Sequence, residues 1–108
     1  MSFNVKVTGR FEKELKRLLK KFPSLKSEYL ILIETLEAEP QTGVPLGNNC
    51  FKIRISIQSK GKGKSGGGRV ITHFYVEKET VYLLSIYDKS ERSSLSQVII
   101  KQILKSLL

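Results

Sequence analysis

The sequence predicts an α+β fold, helices on one face of an antiparallel sheet, and three observations carry that expectation. Apolar residues repeat at helical spacing between Thr8 and Pro40, at a period of two from Phe51 to Asp88, and at helical spacing again towards Leu108. Pro/Gly-rich stretches fall at the changes of period. The 108 residues are 40% hydrophobic, and a chain of this size buries roughly 65% of its unfolded surface, enough for one core. A single domain over 1–108 follows, with no internal repeat and no linker.

Phe3, Val5 and Val7 alternate with polar neighbours and read as a short half-buried strand. Thr8 is placed to cap a helix whose stripe is Phe11, Leu15, Leu18, Leu19 and Phe22. Its other face carries Arg10, Lys13, Lys16, Arg17, Lys20 and Lys21, a pattern that a solvated helix face also produces. Pro23 interrupts, and Ser24 restarts a helix with Leu25, Tyr29, Leu32, Ile33 and Leu36 in register until Pro40. The two make an αα-hairpin. Pro40–Cys50 reads as a loop.

Phe51, Ile53, Ile55 and Ile57 then alternate with Lys52, Arg54, Ser56 and Gln58, a strand with one apolar and one basic face. Lys60–Gly68 is a glycine-rich basic loop. Arg69–Val76 and Val81–Asp88 form a hairpin across the turn Glu77–Thr80. From Ser94 to Leu108 a helix gathers Leu95, Val98, Ile99, Ile103 and Leu107 on one side. The helices are expected on one face of the sheet, leaving the other free.

Nineteen Lys and Arg against ten Asp and Glu give a net charge of +9, which suits a polyanionic partner. Between Glu39 and Glu77 there is no acidic residue, and six cations occupy that span: Lys52, Arg54, Lys60, Lys62, Lys64 and Arg69. Lys52 and Arg54 share a strand face. If that face is uncovered, the sheet offers a cationic floor and the loop a cationic rim for a phosphate backbone.

One cysteine, Cys50, excludes an intrachain disulfide framework and a Cys₄ or Cys₂His₂ zinc site. The N-terminus lacks a signal-peptide h-region, and the longest apolar runs are far too short to span a bilayer. A cytoplasmic protein with no membrane association is expected. Gly63-Lys64-Ser65 looks like the end of a P-loop, but a strand follows where that motif requires a helix.

His73 is the only histidine, so a two-histidine acid–base mechanism cannot be assembled. No carboxylate cluster has metal-ligand spacing, and a site without metal or cofactor, built from Arg, Lys, Tyr and His73, is expected. Such a set supports RNA cleavage by attack of a 2′-OH on its neighbouring phosphate. Arg stabilises the phosphorane but is a poor base, and a lysine crowded by cations serves better. Tyr87 or Tyr75 offers stacking or a proton, and His73 also fits an ordinary surface position.

Phe51–Glu91 resembles the RelE/ParE toxin superfamily, in particular the RelE/HigB-like mRNA interferases of bacterial type II toxin–antitoxin modules. The matching stretches are Lys52-Ile-Arg, the loop from Ser59 through its lysines and glycines, Arg69-Val-Ile, and Val81–Glu91. The upstream Phe11-Glu-Lys-Glu-Leu-Lys helix and the Leu36–Gly43 step agree with it. The resemblance implies a basic concave face that enters the A site of the 70S ribosome and cuts mRNA, and a cognate antitoxin that wraps the toxin. It further implies catalytic positions at Arg54, Lys64, Arg69 and Lys89, with Lys52, Lys60 and Lys62 contacting RNA, and to these the residue chemistry adds Tyr87 as a catalytic candidate and His73 and Tyr75 as RNA contacts. One departure stands out. Several relatives carry a catalytic tyrosine in the C-terminal segment, where this chain has Ser93-Ser94-Leu95-Ser96, which leaves the role to Tyr87 or a lysine, or alters the activity. Two alternatives stand beside it: a ParE-like gyrase inhibitor, which shares the fold but tends to lack a basic set such as Lys52, Arg54, Arg69 and Lys89, and a non-catalytic RNA-binding module.

Overall fold

The computed structural model describes residues 2–60 and 67–107. Strand β1 (Asn4–Val7) leads into helices α1 (Gly9–Lys21) and α2 (Leu25–Ala38). Strands β2 (Val44–Gly47), β3 (Cys50–Ile55), β4 (Gly68–Tyr75) and β5 (Thr80–Asp88) follow, and α3 (Gln97–Leu107) closes the described chain. Five strands form one sheet in the order β1-β5-β4-β3-β2. The α+β class and the β3-β4-β5 meander stand as expected.

Local chemistry accounts for each early boundary. The Thr8 hydroxyl accepts from the Phe11 N–H at 3.1 Å, capping α1. The same side chain reaches the carbonyls of Leu83 (3.1 Å) and Leu84 (3.2 Å), tying the helix start to β5. α1 and α2 bury Phe11, Leu15, Leu18, Leu25, Leu32 and Leu36 against Phe51, Ile53, Ile55, Val70, Phe74, Val81, Leu83 and Ile86.

Five expectations are corrected. β1 runs parallel to β5, so the sheet is mixed. The stretch read as a loop contains β2, which pairs antiparallel with β3 through the two-residue turn Asn48-Asn49. Both asparagines have positive φ (53° and 57°), the type I′ geometry that matches strand twist and that asparagine tolerates. The third correction concerns layers. α3 covers the sheet face opposite α1 and α2, where Leu95, Ile100 and Ile103 pack with Cys50, Ile71, Leu84 and Tyr87. Two core layers therefore sandwich the sheet. Last, α3 turns Ile100 inward rather than Val98, which is 65% exposed, and β3 stops at Ile55 before a single 3-10 turn at Gln58–Lys60.

An irregularity in β5 sets the site. Ile71 pairs with Ser85 and Thr72 with Leu83, leaving Leu84 as an extra residue. Alternation from Val81 and Leu83 would send Tyr87 into the α1/α2 core. The extra residue reverses that parity, so Tyr82 and Tyr87 both face α3.

Candidate nucleic-acid interface

Register lines three candidate residues across three strands. Arg54 of β3 pairs with Arg69 of β4, which pairs with Tyr87 of β5. Directly opposed residues share a face, and neighbouring strands lie about 4.8 Å apart, so the row spans about 10 Å. Arg54 is exposed, whereas Arg69 and Tyr87 are 3% and 4% exposed. The Arg69 Nη1 donates to the Gly68 carbonyl at 3.0 Å. Two guanidiniums directly opposite on one face repel each other, an arrangement that an anion between them relieves.

The Tyr87 hydroxyl is buried without a hydrogen-bond partner among the described residues, and its ring belongs to the Leu95 cluster. Burial raises the phenol pKa, opposed by the positive charges of Arg69 and Arg92. Arg92, exposed in the turn beyond β5, is a cation that the sequence reading passed over. Its signal was modest: one more basic residue, five positions after Tyr87.

Lys52, half-buried, sits two residues from Arg54 on the same face of β3, opposite Ile71. Lys89 is exposed, and its backbone N–H donates to the Gly67 carbonyl at 3.1 Å. These cations surround the row, and none of the ion pairs among the described residues involves Lys52, Arg54 or Lys89. Of the cations in the acid-free span, Lys52, Arg54 and Arg69 are thus gathered on one sheet face. That is the geometry a phosphate backbone fits.

No protein-family model matches the chain. Among solved structures it is similar to an E. coli toxin RelE mutant in the free state, at 15% identity over all of both chains with a TM-score of 0.66. It is also similar to a RelBE toxin–antitoxin complex from Mycobacterium tuberculosis, at 20% identity over 82% of this chain and 92% of that one, TM-score 0.57. The intact E. coli RelBE toxin–antitoxin complex matches at 19% identity over 81% and 96%, TM-score 0.52. The chain has a RelE-like fold.

Within this RelE-like fold the other candidates are dispersed. Lys60, expected at the RNA, is 8% exposed at its side chain and forms an ion pair with the buried Asp88 carboxylate. Its ammonium also stands 5.6 Å from the centre of the Phe22 ring. The lysine is committed inside the protein, because a carboxylate from the end of β5 meets it there. Lys62 and Lys64 lie outside the described residues. His73 and Tyr75 share the face of the row but sit towards the far end of β4, Tyr75 about 20 Å from Arg69 by strand rise. They join an aromatic group instead: the His73 and Tyr75 rings meet at 6.2 Å, Tyr75 and Tyr82 at 6.5 Å, and the Lys78 ammonium lies 5.3 Å over Tyr75.

Two ionisable groups near that cluster are held in their neutral forms. Burial pushes the Cys50 thiol up to about 11 and lowers the pKa of His73, whose Nδ1 lies 3.6 Å from the Cys50 sulfur. A thiol at that value is a poor nucleophile at neutral pH. No helix among the described residues is long and apolar enough to cross a membrane.

Proposed function

We propose that this protein is the toxin of a type II toxin–antitoxin pair and acts as an endoribonuclease on ribosome-bound mRNA. The observation that carries the reading is the Arg54–Arg69–Tyr87 row with its surrounding cations, on a fold shared with toxin RelE. The similar RelBE structures are complexes with an antitoxin, which supports an antitoxin as this chain's protein partner.

In the reaction, a ribose 2′-OH loses its proton and attacks the adjacent phosphorus. The phosphorane collapses, the P–O5′ bond breaks, and the products are a 2′,3′-cyclic phosphate and a protonated 5′-hydroxyl. The developing charge sits on the non-bridging oxygens, where Arg54 makes a bidentate contact. Arg69 acts from beneath, its buried guanidinium adding positive potential through a medium less screening than water. Proton transfer falls to Lys89, exposed and two residues beyond Tyr87, because the Tyr87 hydroxyl is sealed from solvent.

Translation in a cell-free system on a defined mRNA tests this, with primer extension mapping the 5′ ends. Wild type should produce cuts only when ribosomes are present, and Arg54→Ala and Arg69→Ala should lower them by roughly a hundredfold. Arg54 is exposed, so its variant folds and keeps the test independent of stability. No cuts by wild type would overturn the nuclease, and DNA supercoiling assays would then examine the gyrase-binding reading.

A further inference from the structure

The turn that carries Lys89 and Arg92 is fixed by a polar cluster on the side of the sheet away from the cationic row. Asp88 is 1% exposed and ends β5. Its Oδ1 accepts from the Lys60 ammonium, from the Ser90 N–H at 3.0 Å and from the Ser90 hydroxyl at 2.8 Å. Lys60 also donates to the Ser90 hydroxyl at 3.1 Å. The Asp88 carbonyl accepts from the N–H groups of Glu91 (3.0 Å) and Arg92 (3.1 Å). Glu91 in turn is drawn onto α1 by Arg17 at 2.7 Å and Lys21 at 3.6 Å. The Glu91 carboxylate is thus held by α1 and the Asp88 carboxylate by Lys60 and Ser90, while Arg92 stays close enough to Tyr87 for its charge to act on the phenol.

A buried ion pair stabilises a fold little better than an apolar pair of the same volume. What it adds is direction, since each oxygen and proton has one place to be. We infer that Asp88 is a positioning residue of the candidate cleavage site: with Lys60 and Ser90 it sets the turn that presents Lys89 and Arg92 beside the Arg54–Arg69–Tyr87 row. This inference rests on the nuclease reading for its functional meaning. Burial would raise the Asp88 pKa, but the Lys60 and Ser90 hydrogen bonds outweigh it and hold the carboxyl below its ordinary value, so the charged form is the one that positions the turn.

Asp88→Asn keeps the shape and removes the charge. In the ribosome-dependent assay its maximal rate should fall roughly tenfold to a hundredfold per folded molecule, with the half-saturating ribosome concentration little changed. Asp88→Glu should regain much of the rate. A purely structural role would lower the melting temperature and leave the rate per folded molecule at the wild-type value, which overturns the inference. If Asp88→Asn does not fold, the double variant Lys60→Met/Asp88→Leu replaces the pair by apolar groups. That variant should be folded and slow, and wild-type rate in it overturns the inference. Should wild type itself cut nothing, the nuclease reading fails on its own. Amide hydrogen exchange at Lys89 and Arg92 then judges the tether: faster exchange in Asp88→Asn supports it, and unchanged exchange refutes it.

Discussion

Tyr87 shows how one residue's environment can reverse its sequence reading. As a tyrosine on the strand that ends in the basic turn it is a natural acid or stacking group, yet its hydroxyl is buried and bonds to nothing among the described residues. A buried hydroxyl without a partner costs folding free energy, so Tyr87→Phe should leave stability within about 1 kcal/mol of wild type or raise it, measured by urea unfolding. Cleavage by that variant should stay within roughly threefold of wild type, since proton transfer is assigned to Lys89. A loss of about a hundredfold would return the role to the phenol. Lys60 makes the complementary point. Six cations in an acid-free span read as one surface, but Asp88, distant in sequence, claims one of them for the interior. Nothing local to Lys60 announces a partner at position 88.

Among the elements, the helices and the three meander strands were legible because their periods are strong and their boundaries carry capping or turn residues. Thr8 caps α1, and the breaks at Pro23 and Pro40 bracket α2. β2 was hidden by composition. Its sequence, Val44-Pro-Leu-Gly, has the proline and glycine of a loop, and it is a strand at the sheet edge, where a missing N–H is tolerated. Gly43 lets it dock. Its φ is +110°, and a Cβ there would lie 2.7 Å from the Lys52 carbonyl oxygen and 2.9 Å from the Ile53 side chain. Gly43→Ala should therefore destabilise the fold by about 1 to 3 kcal/mol, read as a lower urea midpoint with an unchanged slope. An unaltered midpoint would show that β2 moves aside without cost. The extra residue at Leu84 was equally hidden, because two-residue alternation offers no signal for the place where it slips.

Across the whole molecule the charge is divided by the sheet. The lysines and arginines of α1 lie on the layer opposite the cationic row, and several are balanced there, as Arg10 is by Glu14 and Arg17 by Glu91. Arg54, Lys52 and Lys89 are outside every ion pair found among the described residues, which leaves their charges for an anionic partner. Binding to single-stranded RNA should weaken linearly with the logarithm of salt concentration. Arg54→Ala should reduce the magnitude of that slope by about 1, as expected for the loss of one phosphate contact. An identical slope would place the RNA elsewhere.

The sequence by itself determined the α+β class, the order of the helices and meander strands, and the concentration of positive charge between Glu39 and Glu77, because these depend on local periodicity and composition. The tertiary structure alone decided which of those charges meet. Cross-strand register set Arg54 beside Arg69 and Tyr87, the irregularity at Leu84 turned Tyr87 to their face, and the packing of α3 closed over it. Burial then enclosed Lys60 with Asp88. Register and burial join residues far apart in the chain, and their energies belong to the pair rather than to either residue alone.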